Sequence, residues 1–159
     1  MSSAAIYSGR VYVGGRMGTS EGAVYSFDAF TGEEIWRFDA GPVSSSPSVT
    51  KGIVYVGSDD RNLHALDAMT GDLVGKYTVG QSYGAQIFSS PTVVGGRVYF
   101  GAYDHNVYCL DSSTGALIWN YTTSGIVSGS PAVSDGRVYI GYSPDVFDGD
   151  DRVDEGDLL

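Results

Sequence analysis

The sequence is poor in positive charge and in cysteine. Its 159 residues include nine Lys or Arg against 19 Asp or Glu, which gives a formal net charge of −10. So acidic a chain repels the phosphate backbone, and nucleic acid is therefore excluded as a partner. The lone Cys109 excludes an internal disulfide and a cysteine-rich metal site.

Long apolar runs are also missing. No stretch is long enough to cross a bilayer, so we expect no membrane span. The first three residues lack the basic and apolar regions of a signal peptide. Only Lys51 and Lys76 are lysines, whereas aspartate is abundant. Acid-rich surfaces with few lysines suit salty solvents, because salt screens the self-repulsion of the surface charge. We therefore expect a halophilic source.

What the sequence does contain is an internal repeat. The anchor Gly-x-Val-Tyr-x-Gly occurs four times, at residues 9–14, 52–57, 96–101 and 136–141. Its tyrosines are separated by steps of 43, 44 and 40 residues. A period near 40, built from short apolar runs between glycine-rich turns, is typical of a four-stranded blade of a β-propeller.

The third repeat shows the full unit. Residues 90–99 read Ser-Pro-x-Val-x-x-Gly-Arg-Val-Tyr, residues 110–115 read Leu-Asp-x-x-Thr-Gly, and Trp119 follows. This unit resembles the pyrroloquinoline-quinone-like (PQQ-like) β-propeller repeat, and the resemblance covers essentially the whole chain. It implies an all-β fold of four-stranded antiparallel blades. The family includes quinoprotein dehydrogenases and the propeller lipoprotein of the outer-membrane barrel-assembly machinery, so an extracytoplasmic or cell-surface location is implied as well.

The repeats divide the chain into about three and a half blades, a partial propeller. The expected ranges are 1–43 for blade 1, 44–87 for blade 2, 88–127 for blade 3 and 128–159 for an incomplete blade 4. Blade 4 stops in its strand C, at residues 158–159, so the terminal blades would expose apolar faces that a closed ring covers. We expect either a segment of a seven- or eight-bladed protein or a half ring that associates with another chain.

The four strands of each blade are labelled A to D in chain order. An aspartate-to-glycine turn lies between strands C and D in each of the first three repeats. The Asp side chain can accept hydrogen bonds from the backbone N–H groups that follow it, and glycine can take the positive φ that closes the turn. We therefore interpret these aspartates as structural rather than catalytic. The turn residues are Asp28, Gly32, Asp67, Gly71, Asp111 and Gly115.

Trp36 and Trp119 both stand four residues after a turn glycine. In the PQQ-like family this tryptophan docks flat against the neighbouring blade, and the resemblance implies the same structural role here. Burying so large a ring is strongly stabilising. The second repeat has Gly75 at this position. We therefore expect the second blade junction to be the softest.

Differences between the repeats concentrate in the B–C and D–A loops. From the strand B glycine to the first apolar residue of strand C, two repeats take six residues, whereas repeat one takes ten and repeat four takes seventeen. The D–A connection after repeat two is longer as well. Both loop classes emerge on one face of a meander, which is the candidate binding face. The alternative is an ordinary solvated loop surface. The candidate binding residues are Arg16, Tyr83, Gln86, Asp104 and His105.

An acidic run near the end of the chain suggests calcium. Calcium loops of the EF-hand type need oxygen ligands at alternate positions and a glycine at the sixth, and this run does not have that spacing. A solvated acidic loop is the favoured interpretation. The calcium candidates are Asp148, Asp150, Asp151 and Asp154.

Three functions are compatible with the repeat. The favoured one is a noncatalytic scaffold that binds a protein or peptide. The alternative is a piece of a PQQ-dependent, calcium-requiring alcohol or sugar dehydrogenase. The family's quinone site uses a disulfide between adjacent cysteines, a stacked tryptophan, a calcium held by Glu, Asn and Asp, and a catalytic Asp, and no residue here can be assigned to these roles. We therefore expect this chain alone to bind neither quinone nor calcium. A sensor module attached to a signalling domain is the third hypothesis.

Overall fold

The computed structural model describes residues 2–80 and 84–144. All regular secondary structure in these ranges is β-strand, and the described residues contain no helix. Three four-stranded antiparallel sheets follow one another along the chain, each in simple meander order. The all-β, partial-propeller prediction is confirmed. The described residues include no helix that could cross a membrane.

The three complete blades share one layout, with short inner strands and longer outer ones. The first blade contains β1 (Ala5–Tyr7), β2 (Arg10–Met17), β3 (Glu21–Asp28) and β4 (Glu34–Asp39). The second contains β5 (Ser48–Thr50), β6 (Ile53–Gly57), β7 (Asn62–Asp67) and β8 (Leu73–Thr78). The third contains β9 (Thr92–Val94), β10 (Arg97–Gly101), β11 (Asn106–Asp111) and β12 (Leu117–Thr122).

The fourth blade is represented by two small pairings. Its inner hairpin is formed by β14 (Ala132–Ser134) and β15 (Arg137–Tyr139). A second pair, β13 (Gly125–Ile126) with β16 (Ser143–Pro144), ties the connection after blade 3 to the segment that follows strand B of blade 4. The repeat pattern did not predict this pair. The expected strand C at residues 158–159 lies outside the described residues.

The insertion in repeat one is not a loop. Strands β2 and β3 stay paired from Gly14↔Val24 to Met17↔Glu21, so only residues 18–20 form the turn. The ten-residue count from Gly14 takes Val24 as the start of strand C in blade 1, and the structure corrects that start to Glu21. The extra residues can continue the ladder because Gly22 fits against neighbouring backbone, where an added Cβ would lie 2.4 Å from the Gly15 carbonyl oxygen.

The hydrophobic core lies between blades. Buried side chains from neighbouring sheets form one cluster at each of the first two junctions. Because blade 2 contributes to both clusters, its central strand β6 is apolar on both faces and almost wholly buried. The first cluster comprises Tyr12, Val24, Trp36, Ala40, Val43, Val54, Val56, Leu66 and Ala68. The second comprises Tyr55, Leu63, Val79, Ala85, Ile87, Val98, Phe100, Ala102, Tyr108 and Leu110.

A serine belt, formed by Ser3, Ser46, Ser90 and Ser130, links the inner ends of the blades. The backbone N–H of Ser3 donates to the Ser46 hydroxyl at 2.8 Å, and that of Ser46 donates to Ser90 at 2.8 Å. The Ser90 N–H in turn donates to the Ser130 hydroxyl at 3.0 Å. Each of these serines lies two residues before the first residue of strand A, and three of the four belong to the Ser-Pro steps. In the sequence, the proline of the Ser-Pro step indicates where strand A begins, because proline cannot donate to a ladder, but the repeat pattern does not indicate the role of the serine.

Candidate binding face and blade junctions

The B–C turns and D–A connections lie together on one side of the blades, here called the rim face. It comprises residues 18–20, 58–61 and 102–105 of the turns and residues 40–47, 79–80, 84–91 and 123–131 of the connections. Backbone bonds join the two loop classes: Tyr103 N–H donates to Gln86 O at 3.0 Å, and Ile87 N–H donates to Ser58 O at 3.1 Å. The rim face is thus a braced surface rather than a set of separate loops.

Asp104, a binding candidate, is engaged within the protein. Its Oδ1 accepts the Asn106 N–H at 3.2 Å, and its Oδ2 accepts the Gly80 N–H at 3.0 Å. The Tyr108 hydroxyl donates to the same Oδ2 at 2.5 Å. The pKa of Tyr108 is raised well above its usual value, mainly by burial and further by the Asp104 carboxylate. Asp104 therefore ties the D–A connection of blade 2 to the B–C turn of blade 3.

The second blade has the same arrangement with different partners. Asp60 Oδ1 accepts the Asn62 N–H at 2.9 Å, and its Oδ2 lies 3.0 Å from His64 Nε2. Burial would raise the pKa of Asp60, but the hydrogen bonds from His64 and Asn62 outweigh it, so that pKa is lowered. His64 is buried, with the Phe38 ring edge-on at 5.5 Å. This histidine belongs to the interior between blades 1 and 2.

His105 occupies a conformationally special turn position. Its φ of 69° matches the 72° of Arg61 at the equivalent place in blade 2. Its carbonyl accepts the N–H of Thr123 at 2.7 Å and the Thr123 hydroxyl at 3.0 Å. The backbone of His105 thus anchors the start of the next D–A connection.

Arg16 links the first two blades on the rim face. It lies on the extended β2–β3 hairpin, and its Nη1 is 3.1 Å from Asp59 Oδ2 in the B–C turn of blade 2. Burial raises the pKa of Asp59, and the Arg16 charge opposes that rise. The guanidinium side chain is 45% exposed, so it can also meet a partner from solvent.

The two remaining binding candidates are Tyr83 and Gln86. Tyr83 lies outside the described residues, and Gln86 is half-buried. Beside Gln86, the rings of Phe88 and Tyr103 meet edge to face at 4.5 Å between centroids. The repeat pattern does not indicate this aromatic pair, because its members fall in different loops and their counterparts in the preceding repeat, Ser44 and Asp59, are not aromatic. Both rings are half-buried, which leaves apolar surface on the rim face.

The aspartate turns form the opposite rim. Asp28 Oδ1 accepts the N–H groups of Phe30 at 2.9 Å and Thr31 at 2.8 Å. Asp67 and Asp111 do the same in their own turns. Hydrogen bonds from the Ser113 hydroxyl and the turn N–H groups lower the pKa of Asp111 to about 2. Gly32, Gly71 and Gly115 close the turns at φ of 76°, 78° and 71°.

Trp36 packs against the turn of the next blade. Its side chain is buried, and its Nε1–H donates to Ala68 O at 3.1 Å. The ring covers Gly71 so closely that an added Cβ there would lie 2.7 Å from Trp36 Cδ2. Trp119 is half-buried beside Tyr99, at 6.1 Å between ring centroids. The described residues include no C–D turn of a fourth blade to receive it.

The calcium candidates Asp148, Asp150, Asp151 and Asp154 lie outside the described residues. Within residues 2–80 and 84–144, no three His, Cys, Asp or Glu side chains are grouped as metal ligands would be. Cys109, the single cysteine of the sequence, is buried in blade 3, and that burial raises its pKa.

The repeat geometry has counterparts among known proteins. The family model described as outer membrane protein assembly factor BamB matches residues 2–77 and 81–153. The chain belongs to the PQQ-like β-propeller family. A search of curated proteins finds no match.

Solved structures show how much of a PQQ-like propeller this chain represents. BamB from Moraxella catarrhalis superposes with a TM-score of 0.71 at 24% identity, over 85% of this chain and 40% of that one. Quinohemoprotein alcohol dehydrogenase ADHIIG from Pseudomonas putida HK5 gives 0.67 at 27% identity, over 85% of this chain and 22% of that one. The computationally designed Ika4 protein superposes with a TM-score of 0.72 at 20% identity, over 87% of this chain and 82% of that one. The chain thus spans well under half of the two natural proteins.

Proposed function

We propose that this chain is a noncatalytic PQQ-like propeller scaffold that binds a protein or peptide through the rim face. The β2–β3 hairpin is the observation that carries the proposal. Blades 2 and 3 end strand B at Gly57 and Gly101, whereas blade 1 continues to Met17 and projects an added turn. Binding residues concentrate on the turns and connections at one side of a rigid scaffold, and the β2–β3 turn projects from that side.

The chemistry of the rim face suits a protein partner. Met17 is 43% exposed and Arg16 45% exposed, and the Phe88–Tyr103 pair adds apolar surface. Methionine, arginine and aromatic residues are enriched at protein interfaces. Asp28 on the opposite rim and Asp104 on the rim face each accept backbone N–H groups, which supports a structural rather than a catalytic use of these two carboxylates.

The proposal is tested by exchanging the hairpin. Residues 15–23 are replaced by residues 58–62, the B–C turn of blade 2. The flanking residues match, because Gly14 pairs with Val24 as Gly57 pairs with Leu63. Immobilised wild-type chain is used to capture a partner from extract, and the affinity of the captured protein is then measured for each variant. We expect the exchange to abolish binding.

The matched control is Phe30→Ser on the opposite rim, where the phenyl ring is 90% exposed. This variant should bind as wild type does. Binding that survives the hairpin exchange but is lost in Phe30→Ser would place the interface on the wrong side and overturn the proposal.

A second candidate is a piece of a quinoprotein dehydrogenase, favoured by the 27% identity to quinohemoprotein alcohol dehydrogenase ADHIIG. The residues do not fit a quinone site. Cys109 has no adjacent cysteine, and Trp36 is held in a blade junction by Ala68 O. We expect no complex when the chain is titrated with pyrroloquinoline quinone and calcium. A stoichiometric absorbance change with a raised melting temperature would favour the dehydrogenase.

An extracytoplasmic location is part of the proposal. It is supported by the matching family model, which is described as an outer membrane protein assembly factor. Fractionation of the source cells with an antibody against the chain tests it, and detection only in the cytoplasm would contradict it.

A further inference from the structure

The second blade junction holds a slot of about 140 Å³ between strand β8 and the 111–115 turn of blade 3. We propose that this slot binds a small planar aromatic molecule of the indole class, whose N–H donates to Ser112 O. The inference concerns blade 2 and the outer part of the sheet, and it is separate from the binding role of the rim face.

The slot lies where the repeat places a tryptophan. In the C–D strand registers, Trp36 pairs with Ser26 and Trp119 pairs with Cys109, while Gly75 pairs with Ala65. All three blades shift register one residue later on strand C. Gly75 therefore occupies the tryptophan position in identical backbone surroundings.

The space of the missing ring is open from both sides. At the first junction a Cβ on Gly71 would collide with Trp36, at 2.7 Å from Cδ2. At the second junction a Cβ on Gly115 or on Gly75 would meet no atom within 4 Å. The blades have not closed in to fill the volume that an indole occupies one junction earlier.

The slot contains a hydrogen-bond acceptor, the backbone carbonyl oxygen of Ser112. In the first junction Ala68 O accepts both the Tyr12 hydroxyl at 3.0 Å and Trp36 Nε1–H at 3.1 Å. In the second, the equivalent Ser112 O accepts the Tyr55 hydroxyl at 2.8 Å. A carbonyl has two lone pairs, so Ser112 O can take a second donor, as Ala68 O does.

Size and lining fit a flat aromatic ring. A cavity of roughly 150 Å³ in an engineered protein core is large enough to bind benzene. The lining residues include the apolar Leu63, Val98 and Leu110 together with Tyr55, and also the charged Lys76 and Asp111 at the edge strand and turn. Because the related junction is filled by an indole with one N–H, the ligand class is a planar aromatic heterocycle with one donor.

Indole itself is the probe. We expect it to bind the wild-type chain saturably, with a dissociation constant on the order of 1 mM or tighter, given its nine non-hydrogen atoms. Ligand-observed NMR gives the affinity, and the melting temperature should rise with indole concentration. 1-Methylindole, which lacks the donor, should bind at least about tenfold more weakly.

Substitution at Gly75 locates the site. Gly75→Trp should fill the slot, raise the melting temperature without ligand and abolish indole binding. Gly75→Ala is the matched control, since a methyl group leaves the slot open and binding should persist. Trp36→Gly should create a second slot and double the number of indole molecules bound, provided that circular dichroism shows the variant folded.

Three results would overturn the proposal. The first is no saturable binding of indole to the wild-type chain. The second is indole binding unchanged in Gly75→Trp. The third is binding of N-acetyltryptophanamide together with rejection of indole, which would assign the slot to a tryptophan side chain of a protein partner instead.

Discussion

Replacing Trp36 with alanine should be among the most destabilising single changes in this chain. The side chain is only 8% exposed, bonds to Ala68 O and lies within 5.8 Å of the Tyr12 ring centroid. Truncating a buried tryptophan costs about 3–5 kcal/mol of unfolding free energy, lost hydrogen bond included. For a chain of this size that corresponds to a fall in melting temperature of roughly 6–20 °C.

Trp119→Ala provides the comparison within the same chain. Its ring is half-buried, and its N–H bonds to no other described residue. Truncation should therefore cost roughly 1–2 kcal/mol, in proportion to the apolar surface that the ring buries. The two sites share sequence context, so their difference measures the effect of the covering turn of the next blade.

Urea titrations followed by circular dichroism measure both losses. Since the chain has two tryptophans, each variant also leaves one fluorescent reporter, and Trp36 should emit further to the blue than Trp119. Trp36→Phe should fall between wild type and Trp36→Ala, because it keeps a ring but removes the N–H. Equal and small losses in Trp36→Ala and Trp119→Ala would refute the assignment of Trp36 as an inter-blade anchor.

Two further predictions test the serine belt and the aspartate turns. Ser90→Ala should lower the unfolding free energy by about 1 kcal/mol in urea, because it removes the acceptor of the Ser46 N–H. Ser89→Ala should be neutral or stabilising, since that hydroxyl is buried without a partner among the described residues. A larger loss of unfolding free energy in Ser89→Ala than in Ser90→Ala would contradict the role of the serine belt. The Asp111 pKa is lowered to about 2 from 3.8, so its contribution is complete above pH 4 and lost as the pH falls towards 2. Asp111→Asn should therefore flatten acid unfolding over that interval, and an unchanged acid profile would be the contrary result.

The sequence alone was sufficient for the repeat and for the local geometry of each blade. The tyrosine spacing gave the number of blades, and the Ser-Pro steps located strand A. The aspartate turns followed from chemistry confined to five residues, as with Asp28 and the N–H groups of Phe30 and Thr31. Such features depend on neighbours in the chain, which a linear pattern displays directly.

The sequence was less informative about the rim face. The loop lengths indicated which side carries the insertions, but they could not show that the insertion of blade 1 is a paired hairpin, because glycines such as Gly22 are typical of loops. The position of Asp104 in a B–C loop makes it a binding candidate in the sequence, yet its side chain bonds to Gly80 and Tyr108 in the structure. Gly80 is 24 residues away, and only folding brings the two together.

The blade junctions required the tertiary structure most. Gly75 marked a missing tryptophan in the sequence, but a missing side chain can be compensated by closer packing of its neighbours. The structure shows that the neighbouring blades leave the space open, with Ser112 O at its edge. Repetition in the sequence therefore determined which positions are equivalent. The spacing of the packed sheets, set by all the side chains between them, decided that one of these positions is a slot rather than a contact.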